Sequence, residues 1–248
     1  MALNVVAIQT RIFHEKESIL NFLLEVLPKE LIKDGVIVAI TSKLISLAEG
    51  NFAEKPEALT LEADRAQKKK LVESEADVFL GETKFSVQLT LKHGLLLPSA
   101  GIDESNSENG KYILYPKDPY PTAQEIGLAL RKHYGIHDLG VILTDSHTSP
   151  LRAGVTGIGL SHFGFKALKN LVGQNDLFGR PLKATAVNVL DALTTAAVFE
   201  MGESDDQRPL AVITGARGIE FTDTSSPDEI QIAIKDDLYF QKLMRGSD

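Results

Sequence analysis

The chain has 248 residues, 43% of them hydrophobic and 24% charged, which suits one large core or two smaller intertwined ones in a soluble globular protein. A formal net charge of −8 argues against general nucleic-acid binding, which needs clustered Lys and Arg against the phosphate backbone. With no cysteine, disulfides, thiolate metal sites and a Cys nucleophile are all excluded.

In chain order, the apolar run Val5–Ile8 predicts a buried strand. Asn4, Gln9, Thr10 and Arg11 break up its surroundings, so no signal segment is expected. Ile19, Leu20, Leu23, Leu24 and Leu27 recur with helical period, and Pro28 closes that helix. A second strand is predicted at Val36–Ile40, far too short to span a bilayer. The basic run Lys68 to Lys70, followed by Glu73, Glu75 and Asp77, reads as a solvated helix face. Leu95–Leu97 is a third strand candidate, leading into a polar loop over Ser99–Gly110. Thr122 and Glu125 fit a capping box ahead of Ile126, Ala129 and Leu130. Val141–Leu143 predicts a strand and Asp145–Ser161 a loop. A helix is expected from about Ala184 to Met201, then a strand at Ala211–Ile213. Ser226, Pro227 and Glu229 mark the start of a terminal helix.

Strands and helices mix without a regular βαβ rhythm, so the expected fold class is α+β, with α/β second. Residues 1–248 are read as a single catalytic unit, with two intertwined subdomains as the variant of that reading. Cytoplasmic location is the default expectation.

The common nucleotide and hydrolase motifs are absent. Gly110-Lys111 is followed by Tyr112 and lacks the earlier glycine of a P-loop, and Gly154, Gly157 and Gly159 do not form a dinucleotide fingerprint. There is no helical zinc-protease histidine pair and no Gly-x-Ser-x-Gly elbow.

The informative residues are acids just past apolar segments. Asp145 follows the strand Val141–Thr144, at a position where open sheets hold ligands, with Thr144, Ser146 and His147 beside it. Asp103 follows another apolar run, and Glu203 opens the acidic turn after the helix ending near Met201. If the fold gathers them, Asp103, Asp145 and Glu203 could supply hard oxygen ligands to Mg2+ or Mn2+. Each acid alone also fits an N-cap, a turn former or a solvated carboxylate. Arg152 is a candidate anion clamp or an ordinary surface arginine. The glycines from Gly154 to Gly159 permit either close approach to a ligand or tight packing of strand against helix. His147 is a candidate base, or a hydrogen-bonded loop histidine.

Five strings carry a family resemblance: Ser46-Leu47-Ala48-Glu49-Gly50, Ala100-Gly101-Ile102-Asp103-Glu104-Ser105-Asn106, Val141-Ile142-Leu143-Thr144-Asp145-Ser146, Asp176-Leu177-Phe178-Gly179-Arg180 and Met201-Gly202-Glu203. Together, in this order, they resemble the coenzyme F-420 γ-glutamyl ligases. The resemblance implies a GTP-dependent ligase joining L-glutamate to a small carboxylate acceptor through an acyl phosphate. It further implies two divalent-metal positions, K+ as an additional candidate ion, and an intertwined homodimer. By motif, Asp103 and Asp145 resemble ligands of one metal, with Ser146 and Glu203 at the second. Ser42, Asn106 and the segment Met201, Gly202, Glu203, Ser204, Asp205, Asp206, Gln207, Arg208 resemble nucleotide contacts, with GTP or ATP as the nucleotide.

Three departures stand out. Leu47 replaces a lysine that contacts the nucleotide in the family, and nearby Lys43 is the candidate substitute. Arg11-Ile12-Phe13 replaces a Leu-Pro loop, and Thr148-Ser149 replaces a Gly-Arg pair. The chain thus resembles a divergent branch, such as those proposed for folate metabolism. The alternatives are a folate γ-glutamate ligase, a catalytically inactive nucleotide-binding regulatory module and, more weakly, a metal-dependent phosphatase. Arg152 or Arg180 is the candidate to hold an anionic substrate.

Overall fold

The computed structural model describes residues 2–55, 60–107 and 110–240. The first half contains β1 (Asn4–Ile8), α1 (Ile19–Val26), β2 (Val36–Thr41), α2 (Ser42–Glu49), β3 (Phe52–Ala53) and α3 (Leu61–Glu75). Strands β4 (Val78–Glu82), β5 (Gln88–Lys92), β6 (Leu95–Pro98) and β7 (Tyr112–Ile113) come next. The second half contains α4 (Pro119–Tyr134), β8 (Leu139–Thr148), β9 (Val155–Phe163), β10 (Leu168–Asn170), β11 (Ala186–Asn188), α5 (Val189–Met201) and β12 (Leu210–Thr214). The fold is α+β, as the sequence predicts.

A five-stranded sheet in the order β1-β12-β2-β8-β9 forms the centre. All its pairings are antiparallel except β2 with β8, which run parallel. Period-two alternation divides the strand side chains between two cores. Val36, Val38, Ile40, Val141 and Leu143 face α1, α2 and α4, packing with Phe22, Leu23, Ile45, Ile126 and Leu130. Ile37, Ala39, Ile142, Ala211 and Ile213 face the other way, onto Leu190, Leu193, Ala197 and Met201 of α5. The central strands are buried on both faces, which is why they read as continuous apolar runs. No helix among the described residues is long and apolar enough to cross a membrane.

Several predicted boundaries move. The segment Asp145–Ser161 is not a loop but most of a hairpin, because β8 runs on to Thr148 and β9 returns from Val155. Two of its glycines serve packing: a Cβ on Gly157 would meet Thr194 O at 2.6 Å, and one on Gly159 would meet Leu190 Cγ at 2.4 Å, whereas Gly154 has open space around it and a φ of +90°. Thr122 is not an N-cap. The helix starts a turn earlier at Pro119, whose ring presets the helical φ, and Thr122 N donates to Asp118 O at 3.1 Å inside it. α5 starts at Val189 and not near Ala184, because residues 186–188 pair with β10 and the Asn188 side chain caps the helix at Asp191 N. Ser226 does act as a cap, but Pro227–Glu229 form only one 3-10 turn, with no α-helix through residue 239. The Lys68–Lys70 run lies on α3 as predicted, yet it is not merely solvated: Lys68 binds Glu104 at 2.6 Å and Lys69 binds Glu82 at 3.1 Å.

Candidate active site

A cavity of about 540 Å³ opens where the parallel pair β2 and β8 ends, between the start of α2, the Ser99–Ser107 loop and the turn after α5. This is the carboxyl end of adjacent parallel strands, where backbone splays and ligands find room. The chain passes straight from Thr41 into α2, and no side chain caps that helix. Its first-turn N–H groups therefore remain available to an anion.

Alternation places Asp145 on the face of Val141 and Leu143, toward α2. A bulge shifts the register just before it, from Leu143 paired with Ser161 to Thr144 paired with Gly159. Such bulges bend a strand and re-aim the side chains beside them. Ser146 N donates to Asp145 Oδ1 at 2.9 Å. Enclosure by the protein pushes the Asp145 carboxyl up to about 6 and the Asp103 charge pushes the same way, while the Tyr115 hydroxyl, the Ser146 N–H and Lys43 pull against them. The Tyr115 hydroxyl lies in the same wall, fully buried and without a hydrogen-bond partner of good geometry. Burial, with Asp145 close by, holds that phenol well above its ordinary range. Gly101 makes room for the Tyr115 ring, since a Cβ there would meet it at 2.4 Å, and its φ of +72° lies in the left-handed region that favours glycine.

Asp103 is fixed by backbone exchange with Ile113, at 3.0 and 2.8 Å. Its carboxylate accepts from Ser105 N at 2.7 Å and Ser105 Oγ at 2.9 Å, and pairs with Lys43 Nζ at 2.7 Å. Burial opposes its ionisation, but Lys43 and Ser105 outweigh that and hold the carboxyl below its ordinary value. Lys43 also donates to Ser105 O at 2.9 Å.

The third wall is the turn after α5. Asp206 organises it, taking Ser204 Oγ at 3.1 Å and Arg208 at 2.7 Å. Asn106 Nδ2 donates to Ser204 O at 3.1 Å, tying together two walls 98 residues apart. Gln207 O accepts from Thr10 N at 3.0 Å, which adds Thr10 to His14 as the fourth wall.

Most predicted residues thus meet in one place. Ser42, Lys43, Asp103, Asn106, Asp145, Ser146, Met201, Gly202, Glu203, Ser204, Asp205, Asp206, Gln207 and Arg208 all line the cavity. Asp103 and Asp145 are close enough to repel each other. Glu203 shares the cavity, but among the described residues no three acids or histidines form a ready-made metal cluster. Arg152 and Arg180 lie elsewhere, Arg152 exposed near the β8–β9 hairpin turn and Arg180 in the loop before β11, paired with Asp176 at 2.9 Å. His147 is hydrogen-bonded to Thr156 O at 3.2 Å and does not line the cavity. Sequence reading missed Tyr115, and it noted Arg11 and Phe13 only as replacing a Leu-Pro loop, without a role in the site. Tyr115 closes an apolar run that reads as core, and nothing local distinguishes it from a packing residue.

Five acids (Asp103, Asp145, Glu203, Asp205, Asp206) line the cavity against Arg11, Lys43 and Arg208, with His14 beside them, so its formal charge is negative. Arg11 is paired with Glu17 and Glu25, and Arg208 with Asp206. The fold and cavity define an α+β protein with an acid-rich pocket at the carboxyl ends of two parallel strands.

A sequence profile described as F420-0:Gamma-glutamyl ligase matches residues 7–215. The chain is 35% identical over 225 residues to coenzyme F420:L-glutamate ligase of Methanocaldococcus jannaschii, covering 86% of this chain and 87% of that one. It is 34% identical to the enzyme of the same name from Methanopyrus kandleri, over 75% and 77% of the two chains. The corresponding protein of Archaeoglobus fulgidus is 31% identical, over 86% and 87%. The chain belongs to the F420-0:gamma-glutamyl ligase family.

Proposed function

We propose that this protein joins L-glutamate to a carboxylate-bearing acceptor of the coenzyme F420 precursor type, using GTP and divalent cations. The observation that carries the reading is the acid-rich cavity at the ends of β2 and β8, in which Asp103, paired with Lys43, and Asp145 stand close enough to repel each other. A triphosphate and two carboxylate substrates are all anions, and a cavity with excess acid accepts them only when cations come too.

The donor chemistry suits Mg2+ or Mn2+. Asp103 and Asp145 are hard-oxygen ligands whose mutual repulsion a shared cation relieves, and Ser146 and Glu203 supply oxygens for a second position. When bound, the cations neutralise charge on the phosphates, and K+ is a further candidate for the same purpose. The protein's own part is to bind and orient. The uncapped start of α2 (Ser42, Lys43) and the Met201–Arg208 turn, with Asn106, would cradle the phosphates. The acceptor carboxylate attacks the γ-phosphorus, releasing GDP and forming an acyl phosphate. The glutamate amine then displaces phosphate, losing a proton and closing the amide. Proximity and electrostatics supply this chemistry without a covalent enzyme intermediate. We also propose that the protein works as a homodimer.

The test is GDP and phosphate release with GTP, Mn2+, L-glutamate and either an F420 precursor or a folate. Release that needs both glutamate and an acceptor, with a product heavier by one glutamyl residue, is expected. Asp145→Ala should reduce it at least about 1000-fold. Release without glutamate would identify a phosphatase, and binding without release a regulatory module.

A further inference from the structure

We propose that the Lys43 ammonium and a divalent cation are alternative occupants of the Asp103 carboxylate, so that metal loading frees Lys43 to reach the anionic substrate. The inference rests on the metal reading above.

Lys43 is fully engaged. An ammonium has three donors, and Lys43 has three oxygens around it: Asp103 Oδ2 at 2.7 Å, Ser105 O at 2.9 Å and Ser105 Oγ at 3.1 Å. In this arrangement it has no donor left for a phosphate or a carboxylate. Asp103 is heavily committed too, with Oδ1 taken by Ser105 N and Oδ2 by Ser105 Oγ and Lys43, which leaves one acceptor site on Oδ1. A divalent cation on that carboxylate would stand within a few ångströms of the ammonium, and the two positive charges repel strongly at that range. One must leave, and the lysine can, because its four-carbon stem is flexible and lines an open cavity.

The other cations of the cavity are not coupled in this way. Arg11 is held by Glu17 and Glu25, and Arg208 by Asp206. Of the lysine and arginine side chains there, Lys43 alone is paired with a residue assigned to the metal. Residue 47 lies one turn on from Lys43, on the same side of α2, and there the side chain is the buried Leu47. That side of α2 therefore has one ammonium to offer, and Asp103 holds it until something displaces it. The consequence is ordered binding, with metal first and the anion second. By linkage, each then tightens the other.

The experiment is a calorimetric titration of the nucleotide-free full chain with Mn2+. Lys43→Met keeps the stem and removes the charge, so it should bind Mn2+ about tenfold more tightly than the wild type. In parallel, the Lys43 ammonium signal in nitrogen-15 spectra of the wild type should move on adding Mg2+, which decides the matter if the variant does not fold. Equal Mn2+ affinities within twofold, or an unmoved Lys43 signal on a protein that has taken up metal, would overturn the inference and leave the metal reading standing. If the wild type and Lys43→Met bind no Mn2+ even with GTP present, both fall together. Loss of Mn2+ binding on adding Asp145→Asn to either background would tie the signal to this site.

Discussion

At the scale of single residues, Asp145 holds a charge in a place that disfavours it. Its carboxyl is raised to about 6, chiefly by enclosure, against an ordinary value near 4 in an unfolded chain. Between those values the folded state binds more protons than the unfolded one, so stability falls as pH rises through this window. Asp145→Asn removes the charge and should therefore stabilise the metal-free protein by roughly 1–3 kcal/mol above pH 6. The gain should disappear below about pH 4, where the aspartate is neutral in both states. Thermal melts in chelator across pH 4–7 measure it. The same variant should be inactive, the usual exchange of stability for function at a charged site. Tyr115 belongs to this scale as well, since its buried hydroxyl in the wall beside Asp145 came to light only once the chain was folded.

At the scale of elements, the second half of the protein is fastened by one arginine. Arg131 on α4 is buried and donates to Leu139 O at 3.0 Å, Gly164 O at 3.4 Å and Thr222 O at 3.2 Å, and it pairs with Asp223 at 2.5 Å. It thereby ties α4 to the start of β8, the end of β9 and the chain beyond β12. Arg131→Met fills the space but removes the charged donor from Leu139 O, Gly164 O and Thr222 O and leaves Asp223 without its partner, although Gly164 O keeps Thr222 N. The expected cost is about 2–4 kcal/mol, a fall in Tm of roughly 5–10 °C, read by calorimetry or circular dichroism. Activity of the remaining folded protein should change little, because Arg131 does not line the cavity.

At the scale of the whole molecule, large apolar side chains stand out on the surface. Leu151 at 101% exposure, Leu177 at 99%, Phe199 at 84% and Phe178 at 82% are as open as in an extended chain or nearly so. The loop carrying two of them is well built, with Asp176 accepting from Phe178 N at 2.8 Å and Arg180 N at 2.9 Å. An ordered loop that presents Leu and Phe to water is what an association surface requires. On the homodimer reading, sedimentation should give twice the chain mass. Leu177→Asp with Phe178→Asp should shift it toward the monomer without unfolding the chain.

The sequence alone determined the strands at the centre of the sheet, because residues buried on both faces must be apolar and β-branched. Val36–Ile40, Val141–Leu143 and Ala211–Ile213 are legible for that reason. It also marked Asp103, Asp145 and Glu203, since carboxylates at the ends of apolar runs have no packing reason to be there. Element boundaries were less legible where tertiary pairing overrides local pattern. The continuation of β8 to Thr148 depends on β9 lying beside it, and the late start of α5 depends on β10. Only the folded chain decided that Asp103 and Asp145, 42 positions apart by number, line one cavity while Arg152 stays at the surface. Charge and hydropathy along a chain say which residues need an explanation. Convergence depends on how strands pair across the sheet, and no local spacing encodes that.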